Sequence, residues 1–133
     1  MAETRPLIAI VDDELSVRVA LRRLCTAYGL DAHTFESVRQ LFASLDGRLP
    51  DCLILDAQMP GCGGVDAQAH LRDRGINIPA VIITGRDDEE TRARARAVGV
   101  SAYLCKPVDA EVLLGAIRNA IGPDSRESGA GSR

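Results

Sequence analysis

The chain has 133 residues, the length of a single domain. Its 16 Lys and Arg against 19 Asp and Glu leave a net charge of −3, so there is no global basic field to hold DNA or an acidic membrane surface. With two Phe, two Tyr and no Trp, base stacking has little to stand on, and no direct nucleic-acid binding by this segment is expected.

The first apolar run, residues 7–11, predicts a strand that stops at Asp12-Asp13. It is too short for a signal peptide, and no run approaches the length of a transmembrane helix, so no membrane association is expected. Residues 15–28 predict a helix with Val17, Ala20, Leu21, Leu24 and Tyr28 on its apolar face, stopped by Gly29. Residues 31–35 are more polar and predict an edge strand. Ser37-Val-Arg-Gln40 has the form of a capping box and opens a helix through Leu41, Phe42 and Leu45, closed by Asp46-Gly47.

Residues 52–55 predict the third strand, followed by a loop at 60–64 and a helix at 65–74 that ends at Gly75. A fourth strand at 80–83 lies between Pro79 and Thr84-Gly85. The fourth helix, 88–98, is thinly apolar: its alanines and Val98 are expected to face the sheet, with Arg92, Arg94 and Arg96 spread around it. Residues 102–105 predict the fifth strand, ended by Lys106-Pro107. Asp109 caps a last helix, 110–121, with Val112, Leu113, Ala116, Ile117 and Ile121 facing inward. The cysteines, Cys25, Cys52, Cys62 and Cys105, lie far apart with no C-x-x-C pair, which fits a reducing cytoplasm better than a metal site. Cys25 and Cys52 read as small core residues, and Cys62, between glycines, as nearer the surface.

Strict alternation of strand and helix gives five β–α units, a doubly wound α/β domain with a parallel sheet and helices on both faces. Residues 1–122 form this domain in the reading, and the Gly/Ser-rich stretch 123–133 is a disordered tail or the start of a linker. In such sheets the ligand site lies at the carboxyl ends of the strands. Those ends carry Asp12-Asp13, Asp56, Thr84 and Lys106. Three clustered carboxylates repel, and a hard divalent cation resolves the conflict while keeping positions for phosphate oxygens. Lys106 adds a compact positive charge that favours a phosphoryl group, and Thr84 a hydroxyl. No G-x-x-x-x-G-K-[ST] is present, so the phosphoryl group is expected to arrive on a donor.

"IVDDE" (10–14), "LILDAQMPG" (53–61), "IITG" (82–85) and "YLCKP" (103–107) together resemble the receiver domain of two-component response regulators, over residues of about 5 to 121. "VDDELSVRVAL" and "MPGCGGVD" are most similar to the FixJ-type branch. The resemblance implies a flavodoxin-like (βα)5 fold with strand order 2-1-3-4-5. It implies Asp56 as phosphoacceptor, and Mg²⁺, with Mn²⁺ as a substitute, held by Asp12, Asp13, Asp56 and the backbone carbonyl of Gln58. Thr84 becomes the switch hydroxyl, Tyr103 the aromatic switch and Lys106 the phosphoryl contact. Gln58 and Arg86 occupy positions that modulate phosphoryl lifetime, with Arg86 covering the site or pairing with Asp87. A cis Lys106-Pro107 bond is also implied, X-Pro being the peptide bond for which cis is accessible.

The implied function is a phosphorylation-controlled switch rather than an enzyme. A sensor histidine kinase is the implied donor. A protein partner, an output domain or a second copy is bound through the fourth helix, fifth strand and fifth helix. Two alternatives are a Mg²⁺-dependent aspartyl-phosphate phosphohydrolase and an interaction module that never uses phosphate. The first needs a general acid two residues after the nucleophile, where this chain has Gln58, and a cap that the chain has no room for.

Overall fold

The four aliphatic runs and the more polar run between the first two become five parallel strands, β1 (Leu7–Val11), β2 (Asp31–Phe35), β3 (Cys52–Asp56), β4 (Ala80–Thr84) and β5 (Ala102–Cys105). The structure, a computed structural model, describes residues 4–122. Between the strands run α1 (Leu15–Ala27), α2 (Val38–Ala43), α3 (Gly64–Asp73) and α4 (Glu89–Ala97), with α5 (Ala110–Ile121) after β5. The sheet order is β2-β1-β3-β4-β5, the doubly wound order expected. The expected tail at 123–133 lies outside the described residues.

Side chains alternate across the sheet and build a core on each face. Ala9, Val11, Leu53, Leu55 and Ile82 pack against Leu41 of α2, Leu71 of α3 and Ala95 of α4. Ile8, Ile10, Ile54, Val81 and Ile83 pack against Leu21 and Cys25 of α1 and Leu113 and Ile117 of α5. Every residue of β1, β3 and β4 is buried, whereas edge strand β2 is only half covered. Each fully buried Leu or Ile contributes about 1.5–3 kcal/mol, so these three strands are the rigid floor from which the loops project.

Several local expectations change. Tyr28 is the C-cap of α1 and 54% exposed, and Ala20 faces solvent. Gly29, at φ +82°, turns the chain before a further turn can bring Tyr28 onto the sheet. Ser37 Oγ accepts the Gln40 N–H at 3.2 Å, but Gln40 Oε1 accepts from Glu36 N–H at 2.9 Å, one residue before the usual capping-box partner. α2 ends at Ala43, and Leu45 packs on the core from the turn that follows. On α4 only Ala95 is buried; Ala93 and Ala97 are exposed. In α5, Val112 is 52% exposed and Leu114 is buried in its place. Val112 stands about 140° around the helix from Ile117, too far to reach the sheet.

β3 and β4 each run one residue further than their aliphatic stretches, to Asp56 and Thr84. Asp56 pairs in register with Ile83, and Thr84 with Cys105. Both polar side chains thus start from the sheet itself, not from loops. α3 begins against the same strand end. A Cβ on Gly64 would stand 2.7 Å from Leu55 Cβ and 2.8 Å from the Asp56 carbonyl oxygen. Gly64→Ala is therefore expected to lose about 1–3 kcal/mol by overpacking, read as a lower urea midpoint at unchanged m-value.

Candidate functional site

Asp12 follows β1 directly and is fully buried. Its N–H donates to the Phe35 carbonyl at 3.2 Å, which carries the β1–β2 ladder one step past the strand. Its Oδ1 accepts the Glu14 N–H at 2.9 Å, and Arg18 Nη1 donates to its carbonyl at 2.8 Å. Asp13 is exposed beside it. Asp56 is 3% exposed, with Oδ1 accepting the Gln58 N–H at 3.1 Å. One carboxylate oxygen each from Asp12, Asp13 and Asp56 lie within 4.8 Å of one another.

Lys106 reaches this cluster from the end of β5. Its Nζ donates to Asp12 Oδ2 at 3.2 Å and Asp56 Oδ2 at 3.4 Å, and lies 3.8 Å from Glu14 Oε1. The Lys106–Pro107 peptide bond is cis. Burial pushes the Asp56 carboxyl above its usual range, and the neighbouring Asp12 charge adds to this; the Gln58 N–H and Lys106 offset only part. Burial pulls the Lys106 ammonium down, but its hydrogen bond to Asp12 and the charges of Asp56 and Asp12 outweigh that and hold it above 10.5.

Thr84, fully buried at the end of β4, faces Gln58 and the following loop. Its oxygen accepts the Arg86 N–H at 3.0 Å and lies 2.8 Å from both Gln58 Oε1 and the Arg86 carbonyl. One hydroxyl proton serves one of those two acceptors at a time. Arg86 itself is exposed and, of its two expected placements, does not take the pairing with Asp87; Asp87 Oδ2 instead accepts from Arg92 Nη2 at 2.6 Å. The Arg86 side chain lines an open cleft with Met59, Pro60, Asp66 and Arg94. Tyr103 is half-buried under Arg92, whose Cζ lies 4.8 Å from the ring centroid.

The structure therefore brings Asp12, Asp13, Asp56 and Lys106 into one group, with Thr84 and Gln58 forming a second pair beside it. Glu14, Arg18 and Arg92 were missed as contributors. Glu14 adjoins the two aspartates in "VDDE", a local signal for its place here, but nothing local shows Arg18 turning back to Asp12 or Arg92 lying over Tyr103. The cysteines stand apart from the site chemistry. Burial pushes the Cys25 thiol up to about 11 and Cys52 up to about 12, so both are inert core residues. Cys62 is half-buried against the core, and Cys105 is exposed.

The acidic and basic groups gather at the carboxyl ends of β1, β3 and β5, where a doubly wound α/β sheet places its ligand sites. Residues 8–118 match the family described as the response regulator receiver domain. The chain belongs to that family, a signalling domain of two-component systems. It is 34% identical over 87% of its length to nodulation protein W of Bradyrhizobium diazoefficiens, covering 51% of that protein. It is 35% identical over 91% of its length to the response regulator protein TodT of Pseudomonas putida, covering 53% of it. The chain thus spans about half the length of these curated relatives. The crystal structure of FixJ-N superposes with a TM-score of 0.81 at 32% identity, over 90% of this chain and 95% of that one. No helix among the described residues is long and apolar enough to cross a membrane.

Proposed function

We propose that the domain accepts a phosphoryl group on Asp56 from the phosphohistidine of a sensor kinase. One observation carries the reading: Lys106 Nζ lies 3.4 Å from the Asp56 carboxylate, beside two further carboxylates with oxygens within 4.8 Å. Three hard oxygen donors at that spacing suit a small divalent cation, so Asp12, Asp13 and Asp56, with the Gln58 carbonyl, would hold Mg²⁺ or Mn²⁺. When bound, the cation supplies neutralisation of the charge that builds on the transferring phosphoryl oxygens.

Asp56 oxygen attacks phosphorus, a P–O bond forms, and the P–N bond to the donor imidazole breaks, leaving the electron pair on that nitrogen. Lys106 presents its ammonium where the phosphoryl oxygens must sit, already oriented by Asp12. Asp12 fixes the approach through its own turn, held by the Glu14 N–H and Arg18. Thr84 then exchanges its Gln58 and Arg86 partners for a phosphoryl oxygen, and Tyr103 follows. Gln58 and Arg86, flanking the site, set how readily water reaches the acyl-phosphate. The output is a change in affinity of the α4–β5–α5 face for an output domain, a protein partner or a second copy, in a cytoplasmic setting. Gln58 two residues after Asp56 has no proton to give as a general acid, which disfavours the phosphohydrolase reading.

Incubation with acetyl phosphate and Mg²⁺, followed by mass spectrometry, tests the proposal. The expected result is one added phosphoryl group located on Asp56, dependent on the divalent ion. No labelling at any Mg²⁺ concentration would overturn it in favour of a phosphate-independent interaction module, and fast turnover of varied phosphate esters in favour of the hydrolase.

A further inference from the structure

We propose that Asp87 and Arg92 form a clasp that covers the Tyr103 ring and ties it to the loop anchored by Thr84. Three observations meet at this point. The Arg92 guanidinium covers the Tyr103 ring at 4.8 Å, the geometry of a cation–π contact. The same guanidinium donates to Asp87 at 2.6 Å, so the loop before α4 sets where the cation lies. The phenolic oxygen of Tyr103 is enclosed without a hydrogen-bond partner among the described residues.

An enclosed hydroxyl lacking a partner disfavours the position it occupies. The ring packs on the core cluster with its inner face, and a cover on its outer face helps to keep it there. α4 offers little apolar surface for the purpose, since Ala95 is its one buried residue. The flat face of Arg92 supplies the missing cover. Arg92 and Asp87 side chains are 40% and 44% exposed, so their ion pair is a weak catch, suited to a contact that opens.

The clasp also has a connection to the site. Thr84 accepts the Arg86 N–H, and its own proton goes either to the Arg86 carbonyl or to Gln58 Oε1. Asp87 is the next residue. A Thr84 hydroxyl that turns elsewhere releases the Arg86 backbone, which frees Asp87, and Arg92 leaves the ring. That trigger rests on the role proposed for Thr84, whereas the resting clasp does not. Asp87 and Arg92 are thus positioning residues acting through Tyr103.

The chain has two tyrosines and no Trp, so Tyr28→Phe leaves Tyr103 as the single emitter. In that background, acrylamide quenching reports how open Tyr103 is, and a spectrophotometric titration reports its phenol. Burial raises the Tyr103 phenol above 10.0, Asp87 and Asp88 raise it further, Arg92 lowers it and Cys105 raises it. Arg92→Gln is expected to increase the open population about two- to five-fold, the factor an exposed cation–π contact supports, and to bring the phenol back toward its ordinary value. Asp87→Asn should move both readings the same way by less, and Arg92→Lys should retain part of the clasp. If Arg92→Gln leaves quenching unchanged while the phenol climbs further, the ring has stayed in place after losing a neighbouring cation, and the clasp is overturned. Adding beryllofluoride and Mg²⁺ to the parent then separates the two ideas: an unresponsive Tyr103 counts against the Thr84 trigger and the proposed function, while the resting comparison alone decides the clasp.

Discussion

Asp56→Asn is expected to abolish acyl-phosphate formation with acetyl phosphate and Mg²⁺, and to raise stability at neutral pH. The first effect follows from losing the proposed nucleophile, since an amide oxygen neither attacks phosphorus at a useful rate nor carries the charge that attracts the ion. Mass spectrometry checks it, and an unchanged label elsewhere on the rim would sink the assignment. The second effect follows from the direction in which burial moves this carboxyl. A folded-state value above the unfolded one means that folding favours the protonated acid. Ionised Asp56 therefore costs stability at neutral pH, and stability falls as pH rises from the ordinary value of 3.8 through the raised one.

An uncharged amide removes that cost. The gain is expected at about 1 kcal/mol, or roughly 4 °C in Tm, discounted because Lys106 already offsets part of the charge. It should vanish in acid, where Asp56 is protonated in both states. Saturating Mg²⁺ should narrow the gap as well, because at about 100 times its Kd a ligand stabilises the folded state by roughly 2.7 kcal/mol, and the variant offers the ion a neutral amide oxygen in place of a carboxylate. Equal thermal stability of parent and variant at neutral pH, without metal, would show that Asp56 is not strained by burial.

Lys106→Met is the counterpart with the opposite sign. In metal-free buffer it removes the ammonium that donates to Asp12 and Asp56, two carboxylates of 0% and 3% exposure. Leaving buried charges without their cation usually costs about 3–5 kcal/mol; here about 2 kcal/mol is expected, since the Lys106 side chain is 22% exposed and water screens part of the interaction. Mg²⁺ should restore much of the loss, because the ion replaces the missing positive charge at the same oxygens. The phosphorylation rate should fall by about a hundred-fold or more even with Mg²⁺, as for removal of a preorganised donor to developing oxyanion charge.

The pH dependence supplies an independent check. Lys106 titrates above 10.5 in the folded chain, so its contribution is complete below that value and is lost as pH rises through the folded-state value. The parent should therefore lose stability on the alkaline side more steeply than Lys106→Met. Urea denaturation at several pH values, with and without Mg²⁺, reads all of this. A variant as stable as the parent without metal would mean that Lys106 is no partner of the two carboxylates.

Much of this molecule was legible in short-range pattern. Aliphatic runs stopped by Asp, Thr or Lys located the ends of β1, β3, β4 and β5 to within a residue, and glycines at the helix stops located the turns. β2, β5 and α5 have the predicted bounds because their boundaries are set by local chemistry: the more polar edge run, the Lys-Pro pair and the Asp109 cap. Helix faces were read less well. Val112 and Leu114 differ by two positions, and with the covered face centred on Leu113 and Ile117 the helical period puts Leu114 nearer to it than Val112. Tyr28 failed for a related reason, because a residue at the helix end follows the turn rather than the apolar face.

The order of apolar runs and the residues that end them determined a parallel doubly wound sheet and assigned Asp12, Asp13, Asp56, Thr84 and Lys106 to one rim, since both periodicity and strand termination are properties of neighbours in the chain. Partner choice was decided only by the tertiary structure. Lys106 meets Asp12 across 94 positions and Asp56 across 50, and Thr84 meets Gln58 across 26, distances in sequence that no local signal spans. The choice of Arg92 over Arg86 for Asp87 is of the same kind. Both arginines are near in sequence, but the start of α4 turns one toward Asp87 and the Tyr103 ring and leaves the other exposed at the rim.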